Sequence, residues 1–198
     1  MKIAVLVEGA TETAFKPTLQ NFLKPRLQQM PRLRFIPYDG RIPKETKLRR
    51  IVENLLETHD AVIALTDVYT GTVDFVDASD AKIKMAAWAG HNPKFYPHAA
   101  QYDFEAWLLP YWSTIQELAK HKKTAPSGPP EQVNHSNPPS YRIKEIFELG
   151  KNRDSYIKPR EAKRILEKND LLVSAQACPE LKAFLNTILS LCGEAMIA

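Results

Sequence analysis

Short apolar runs alternate with helix-like patterns along the first 120 residues, and this alternation constrains the fold more than any other feature of the sequence. The apolar runs predict strands at Lys2 to Val7, Leu33 to Tyr38, Ala61 to Leu65 and Phe95 to Ala100. Apolar residues at helical spacing predict helices over 14–23, 43–57, 77–89 and 103–119. Strands that alternate with helices are typical of a parallel sheet covered by helices. We therefore predict an α/β sandwich with a mostly parallel four-stranded sheet.

The remainder of the chain has a different character. The stretch from His121 to Ser140 is dense in Pro, Ser and Asn, which predicts a loop because it offers little apolar surface to bury. Helical patterns follow over 142–149, 159–168 and 179–191. We expect an α/β domain over 1–120, a Pro-rich loop over 121–140, and a helical C-terminal extension over 141–198 packed on the same domain.

Charge and cysteine content narrow the function classes. The sequence has 27 Lys+Arg against 23 Asp+Glu, a net charge of +4, which permits a nucleic-acid partner without requiring one. Its two cysteines are too few for a disulfide framework or a zinc cluster. No apolar run reaches the length of a membrane span. We expect a cytoplasmic protein with no membrane association.

Acidic residues follow three of the predicted strands. Glu8 comes directly after the first strand, Asp67 after the third, and Glu105 after the fourth. In a parallel sheet these positions meet at the carboxyl edge, where ligands gather. Clustered carboxylates repel one another unless a cation compensates, and their oxygen atoms suit Mg²⁺ or Mn²⁺. Any one of these residues alone is more often a turn former or a helix cap.

The motifs around these residues resemble a known fold family. Val7-Glu8-Gly9-Ala10-Thr11-Glu12 resembles the Val-Glu-Gly-x-Thr-Glu motif of Toprim domains, the catalytic fold of topoisomerases, primases and overcoming-lysogenization-defect nucleases. Thr66-Asp67-Val68-Tyr69 falls where Toprim domains carry an Asp-x-Asp pair. The resemblance implies a Toprim-like sandwich.

Further motifs resemble one bacterial Toprim-like family, the domain-of-unknown-function family DUF4276. They are Asp67-Val68-Tyr69, the stretch from His98 to Leu109, Ser155 to Pro159, and Ala177 to Leu181. Together they span nearly the whole chain.

The resemblance implies a metal-dependent phosphodiester hydrolase, a nuclease acting on DNA or RNA in a phage-defence or mobile-element context. Mg²⁺ or Mn²⁺ would be held by Glu8, Asp67 and Glu105. Glu12 would be the candidate base, although an acidic residue in the first turn of a helix also stabilises that helix. Lys158 would neutralise charge that develops on the phosphate, or would be a solvated surface residue.

Several residues keep open alternatives. Tyr69 stands where the second Asp of the Toprim pair is expected, and it would either hydrogen-bond a phosphate or pack at a strand end. Asp74 or Asp77 could supply a further carboxylate. A lone His98 near this edge is more often structural than catalytic.

A second function class is also open. The chain could be a non-catalytic Toprim-like subunit that binds nucleic acid or an ATPase partner of the ABC or AAA type. The missing second Asp favours this alternative. The sequence has no Gly-x-x-x-x-Gly-Lys-Ser/Thr loop, so ATP would have to be bound by the partner.

Overall fold

A central parallel sheet organises the molecule. The computed structural model describes residues 1–69, 73–134, 137–150 and 156–198. Within these ranges the strands are β1 (Lys2–Val7), β2 (Arg32–Pro37), β3 (Ala61–Asp67) and β4 (Phe95–Ala100). They form one sheet in the order β2-β1-β3-β4, and every neighbouring pair is parallel. The predicted α/β sandwich with a four-stranded parallel sheet is confirmed.

The two central strands explain why the apolar runs are continuous. Helices cover both faces of β1 and β3, so nearly every side chain of these strands is buried whichever way it points. β3 runs two residues beyond its predicted end. Asp67 is therefore the last strand residue, in register with Ala100 of β4, and not the first residue of the following loop.

Helices connect the strands and continue after them. They are α1 (Ala10–Leu23), α2 (Glu45–Leu56), α3 (Ala78–Trp88), α4 (Trp112–Ala119), α5 (Pro139–Leu149), α6 (Lys158–Glu167), α7 (Leu171–Ala177) and α8 (Pro179–Leu191), with 3-10 helices at Phe104–Tyr111 and Pro130–Gln132. The sequence patterns did not predict α7 or either 3-10 helix.

The single helix predicted over 103–119 is wrong in its first half. Pro110 has no N–H to donate, and its ring would clash with the carbonyl of Ala106 in a continuous α-helix. The chain forms the 3-10 helix instead. A side chain of α7 supplies the hydrogen-bond donor that Pro110 cannot give to a carbonyl of this segment. The Ser174 hydroxyl donates to the Trp107 carbonyl at 2.5 Å.

Apolar side chains fill both sides of the sheet. On one side, Phe15 of α1, Trp107 and Phe184 of α8 pack with ring centroids 6.2–6.4 Å apart. On the other side, Leu48 of α2 and Met85 of α3 are buried against the sheet. The C-terminal helices thus share a core with the strands. The division into a domain, a loop and an extension stays a prediction.

The predicted Pro-rich loop is held by polar contacts in the part that the structure describes. The indole N–H of Trp107 donates to Glu131 at 2.9 Å, and that of Trp112 donates to the Lys123 carbonyl at 2.8 Å. His135 and Ser136 of this segment lie outside the described residues. No helix within the described ranges has the length and apolarity needed to cross a membrane.

Candidate functional site: the acidic edge

Five buried carboxylates lie where the parallel strands end. Glu8 follows β1, Asp67 ends β3, and Asp103 and Glu105 follow β4, while Glu12 lies in the first turn of α1. Their exposed fractions are 4% for Glu8, 5% for Glu12, 8% for Asp67, 3% for Asp103 and 1% for Glu105. We call this group the acidic edge. Charged residues are almost never this buried unless they are paired. The burial of all five together therefore needs one explanation that applies to the whole group.

The electrostatics of Asp67 indicate that the five groups converge. Burial raises its pKa well above the ordinary value, and the charges of Glu12, Glu8, Asp103 and Glu105 raise it further. The register of the sheet gives the same placement, because Val7 is level with Leu65 of β3 and Asp67 is level with Ala100 of β4. The structure therefore brings the predicted residues Glu8, Asp67 and Glu105 to one edge of the sheet.

Two hydroxyl groups hold the Glu8 carboxylate. The Thr66 hydroxyl donates to Oε1 and the Tyr69 hydroxyl donates to Oε2. Burial raises the pKa of Glu8, and the charge of Glu12 adds to this, whereas the two hydroxyl hydrogen bonds oppose it. Tyr69 therefore contacts a carboxylate of the acidic edge, which neither of its predicted alternatives described.

Glu12 fits both alternatives considered for it. Its Oε2 accepts the backbone N–H of Gly9 at 3.0 Å, so it closes the first turn of α1. It also belongs to the acidic edge, because its pKa is raised by burial and by the charge of Asp103 and is lowered by Lys158.

Lys158 is the cation of the site in the part of the chain that the structure describes. It is the first residue of α6, and its Nζ lies 3.4 Å from Glu105 Oε2. Burial works to lower the pKa of Lys158, but the charges of Glu105, Asp103 and Asp67 outweigh it and the pKa is raised. Burial raises the pKa of Glu105 to about 8, Asp103 adds to that shift, and Lys158 opposes it. One ammonium group thus offsets part of the negative charge of five carboxylates.

The donor chemistry fits a hard divalent cation. Asp103 Oδ1 and Glu105 Oε1 are buried and have no hydrogen-bond partner among the described residues. Mg²⁺ and Mn²⁺ prefer oxygen ligands, and buried carboxylate oxygens that accept no hydrogen bond are suited to that role. In the described ranges, however, no three His, Cys, Asp or Glu side chains already form a metal-binding group. The acidic edge offers suitable ligands without a closed ligand shell.

Asp74 and Asp77, which the sequence singled out, are not part of the acidic edge. Asp74 pairs with Arg41 and with Lys44, so its charge is already compensated. Asp77 caps α3 by accepting the N–H of Asp80 at 2.8 Å. With these contacts neither residue adds a carboxylate to the acidic edge as described, and a role for Asp74 or Asp77 at the site stays a prediction.

His98 is a core residue. Its Nε2 lies 3.0 Å from the Thr187 hydroxyl, and its ring packs edge-on against Phe184 at 5.5 Å. Burial lowers its pKa to about 4, and Lys82 contributes, so the ring is neutral at physiological pH. This placement supports the structural alternative for His98.

Sequence reasoning missed Asp103 and Thr66. Asp103 precedes Glu105 by two residues, and its Oδ2 accepts the N–H of Ser140 at 3.1 Å. The signal was available, because an Asp-x-Glu pair directly after a strand has the same spacing as the Asp-x-Asp pair that the chain lacks after β3. Ser155, the first residue of one family motif, lies outside the described residues.

Comparison with known proteins supports the fold. The C-terminal region of the Burkholderia pseudomallei OLD protein superposes with a TM-score of 0.56 at 13% identity, covering 96% of this chain and 98% of that one. The C-terminal region of the Xanthomonas campestris pv. campestris OLD protein matches at 15% identity with a TM-score of 0.46, covering 94% and 96%. A comparison with proteins of curated function found no match. The likeness to the Burkholderia region supports the Toprim-like fold and extends no further at this identity.

A family model agrees with the motifs that run along the chain. The model for the domain of unknown function DUF4276 matches residues 7–189. That range contains every carboxylate of the acidic edge together with Lys158. The chain therefore belongs to the DUF4276 family.

Proposed function

We propose that the chain is a metal-dependent phosphodiester hydrolase that cuts DNA or RNA. The observation that carries this proposal is the burial of five carboxylates beside one lysine at the carboxyl edge of the sheet. Mg²⁺ or Mn²⁺ would be held by Glu8, Asp67 and Glu105, and we add Asp103 because one of its buried oxygens is unpartnered among the described residues. A role in phage defence or on a mobile element is part of the same proposal.

The side chains have distinct tasks in this mechanism. When bound, the cation supplies positive charge for the phosphate oxygens and lowers the pKa of an attacking water. Glu12 accepts the proton of that water, and its raised pKa makes it a better base near neutral pH. Lys158 stays protonated and stabilises the charge that builds up on the phosphate as the P–O bond breaks. The departing alkoxide oxygen takes a proton from solvent, and Glu12 returns its proton to solvent.

The test is cleavage of labelled single-stranded DNA, duplex DNA and RNA by the purified chain. We expect cleavage with Mg²⁺ or Mn²⁺, none with a chelator, and little with Ca²⁺, whose looser coordination positions water poorly. Asp67→Ala should abolish cleavage, and Lys158→Met should reduce it by about 100- to 1000-fold. Glu12→Ala should have a smaller effect, about 100-fold, because water can partly replace a base.

A control variant separates local from general effects. Glu148→Gln removes a carboxylate that is 60% exposed on α5, outside the acidic edge, and should leave cleavage unchanged. If the wild-type protein, alone and with an ATPase partner, cuts none of the three substrates with either metal, the hydrolase proposal is wrong.

A second candidate is a binding subunit without catalytic activity. It is favoured by the Glu8 carboxylate, whose two oxygen atoms both already accept hydrogen bonds from hydroxyl groups. On this proposal the chain binds nucleic acid equally well in chelator and cuts nothing, alone or with an ATPase partner. The cleavage assay, repeated with that partner present, distinguishes the two candidates.

A further inference from the structure

A basic groove lies at the amino ends of β2 and β1, at the end of the sheet opposite the acidic edge. It has a volume of about 630 Å³ and is lined by Lys2, Lys16, Arg32, Leu33, Arg34, Phe35, Thr58 and His59. β2 is an edge strand, and Arg32 and Arg34 are exposed on it. Because these arginines are two residues apart, they project from the same face of the strand, about 7 Å from each other. Lys16 reaches the groove from α1, with its Nζ 5.7 Å from the centre of the Phe35 ring.

The cations of this groove lack the ion pairs that many other basic side chains form. Outside the groove, for example, Lys82 pairs with Glu180 and Arg164 with Glu161. Within the described ranges, none of Lys2, Lys16, Arg32 and Arg34 forms an ion pair with a carboxylate. One carboxylate lies nearby, since Asp60 accepts the backbone N–H of Lys2 at 2.7 Å. Four cations against one carboxylate leave a positive potential that attracts a polyanion.

The same residues disfavour the other obvious occupant, a second protein strand. An open edge strand invites pairing with another chain, and natural proteins prevent it with charged side chains and proline on the edge. β2 carries both devices, the two exposed arginines and Pro37 at its last position. The basic side chains of the groove can therefore bind phosphates, and the arginines and Pro37 prevent another strand from pairing with β2.

The position of β2 connects the groove to the acidic edge. The strand runs from Arg32 to Pro37, and the turn that follows returns to Glu8, whose carbonyl accepts the N–H of Gly40 at 2.9 Å. Val7 is in register with Pro37, so Tyr38 is level with Glu8. Six residues separate Arg32 from Tyr38, which corresponds to about 20 Å of extended chain. That distance is about six nucleotide steps at 3.4 Å each.

We propose that this groove binds the phosphodiester backbone of nucleic acid and guides it along β2 to the acidic edge. The contribution to cleavage rests on the proposed function, whereas binding does not require it. Contacts from Arg32 and Arg34 go to phosphates, so they add affinity without reading the base sequence. Shortening a substrate so that it ends within about six nucleotides of the cut should remove the contribution of the groove.

The test measures binding in chelator, so that it is independent of catalysis. The probes are fluorescent 30-nucleotide DNA and RNA strands and a 30-base-pair duplex, followed by anisotropy over a series of salt concentrations. Arg32→Gln/Arg34→Gln removes two phosphate contacts. It should weaken binding at 0.1 M salt by about 25- to 60-fold and flatten the slope of log K against log salt by about 1.4 for single strands and 1.8 for the duplex.

A matched control removes the same charge elsewhere. Lys122→Gln/Lys144→Gln changes two exposed lysines outside the groove and should leave affinity and slope unchanged. Thermal melts of both double variants check that they are folded. Since both arginines are exposed, we expect melting temperatures close to that of the wild type.

The outcomes separate the groove from the active site. Groove-dependent binding without any cleavage supports this inference and removes the hydrolase proposal. Cleavage with equal affinity in the wild type and the arginine variant overturns the inference and leaves the hydrolase proposal standing. The inference is also overturned if the wild type binds none of the probes at 50 mM salt, or if sedimentation shows a dimer that the arginine variant disrupts.

Discussion

Replacing Glu105 by glutamine should stabilise the metal-free protein above pH 8 and change its stability little near pH 4.5. The wild-type carboxyl is fully buried, and its pKa rises from 4.5 in the unfolded chain to about 8 in the fold. Between these values the folded state binds more protons than the unfolded state, so stability falls as the pH rises. At 1.36 kcal/mol per pH unit, the ionised form costs the wild type at most about 5 kcal/mol at pH 9. Glutamine has no such cost, because it is neutral throughout.

Thermal melts in chelator at pH 5 and pH 9 measure this difference. For a chain of this length, 5 kcal/mol corresponds to a rise in melting temperature of about 10–20 °C at pH 9, with a rise of only about 2–3 °C at pH 5. Glu148→Gln, at a carboxylate that is 60% exposed, serves as the control and should change stability by less than about 0.5 kcal/mol at either pH. Mg²⁺ should raise the melting temperature of the wild type more than that of the Glu105 variant. If Glu105→Gln destabilises the protein equally at both pH values, the ion pair with Lys158 outweighs burial and our reasoning is wrong.

Two further predictions test contacts in other parts of the molecule. Tyr69→Phe removes a hydroxyl donor to Glu8, so the pKa of Glu8 should rise further in a carboxyl NMR titration, and the free energy of unfolding at pH 8 should fall by about 1 kcal/mol; an unchanged titration would show that this hydrogen bond does not form. Gly150→Ala should destabilise the fold by about 2–4 kcal/mol in denaturant titrations, because the added Cβ would lie 1.8 Å from the Ala119 carbonyl oxygen. Gly9→Ala is its control and should be tolerated, since the nearest atom would be 3.8 Å away.

The sheet and the position of its acidic residues could be predicted from local patterns. A continuous apolar run as short as Ile3 to Val7, bounded by Glu8-Gly9, favours a strand covered on both faces, and helices between such runs favour parallel connections. Once the strands are parallel, residues that follow them must share an edge. Glu8, Asp67 and Glu105 were therefore placed near one another by periodicity and topology, before any contact was known.

Local sequence patterns predicted the secondary structure less well where the backbone departs from a regular α-helix. The segment from Asp103 to Ala119 has apolar residues at helical spacing, yet its first half is a 3-10 helix. The spacing of apolar side chains does not show which hydrogen-bond donor each backbone carbonyl will have. Here the donor to the Trp107 carbonyl comes from Ser174, 67 residues later in the chain.

The sequence by itself determined that acidic residues follow three of the strands. The tertiary structure decided which other side chains surround those acidic residues. Lys158 meets Glu105 across 53 residues, and Tyr69 meets Glu8 across 61. Such contacts depend on how distant segments pack, which no local spacing encodes. Packing also directed His98 into the core. The physical reason is that hydrophobic periodicity fixes which face of an element is buried, whereas the partner of a buried charge is fixed only when the elements have come together.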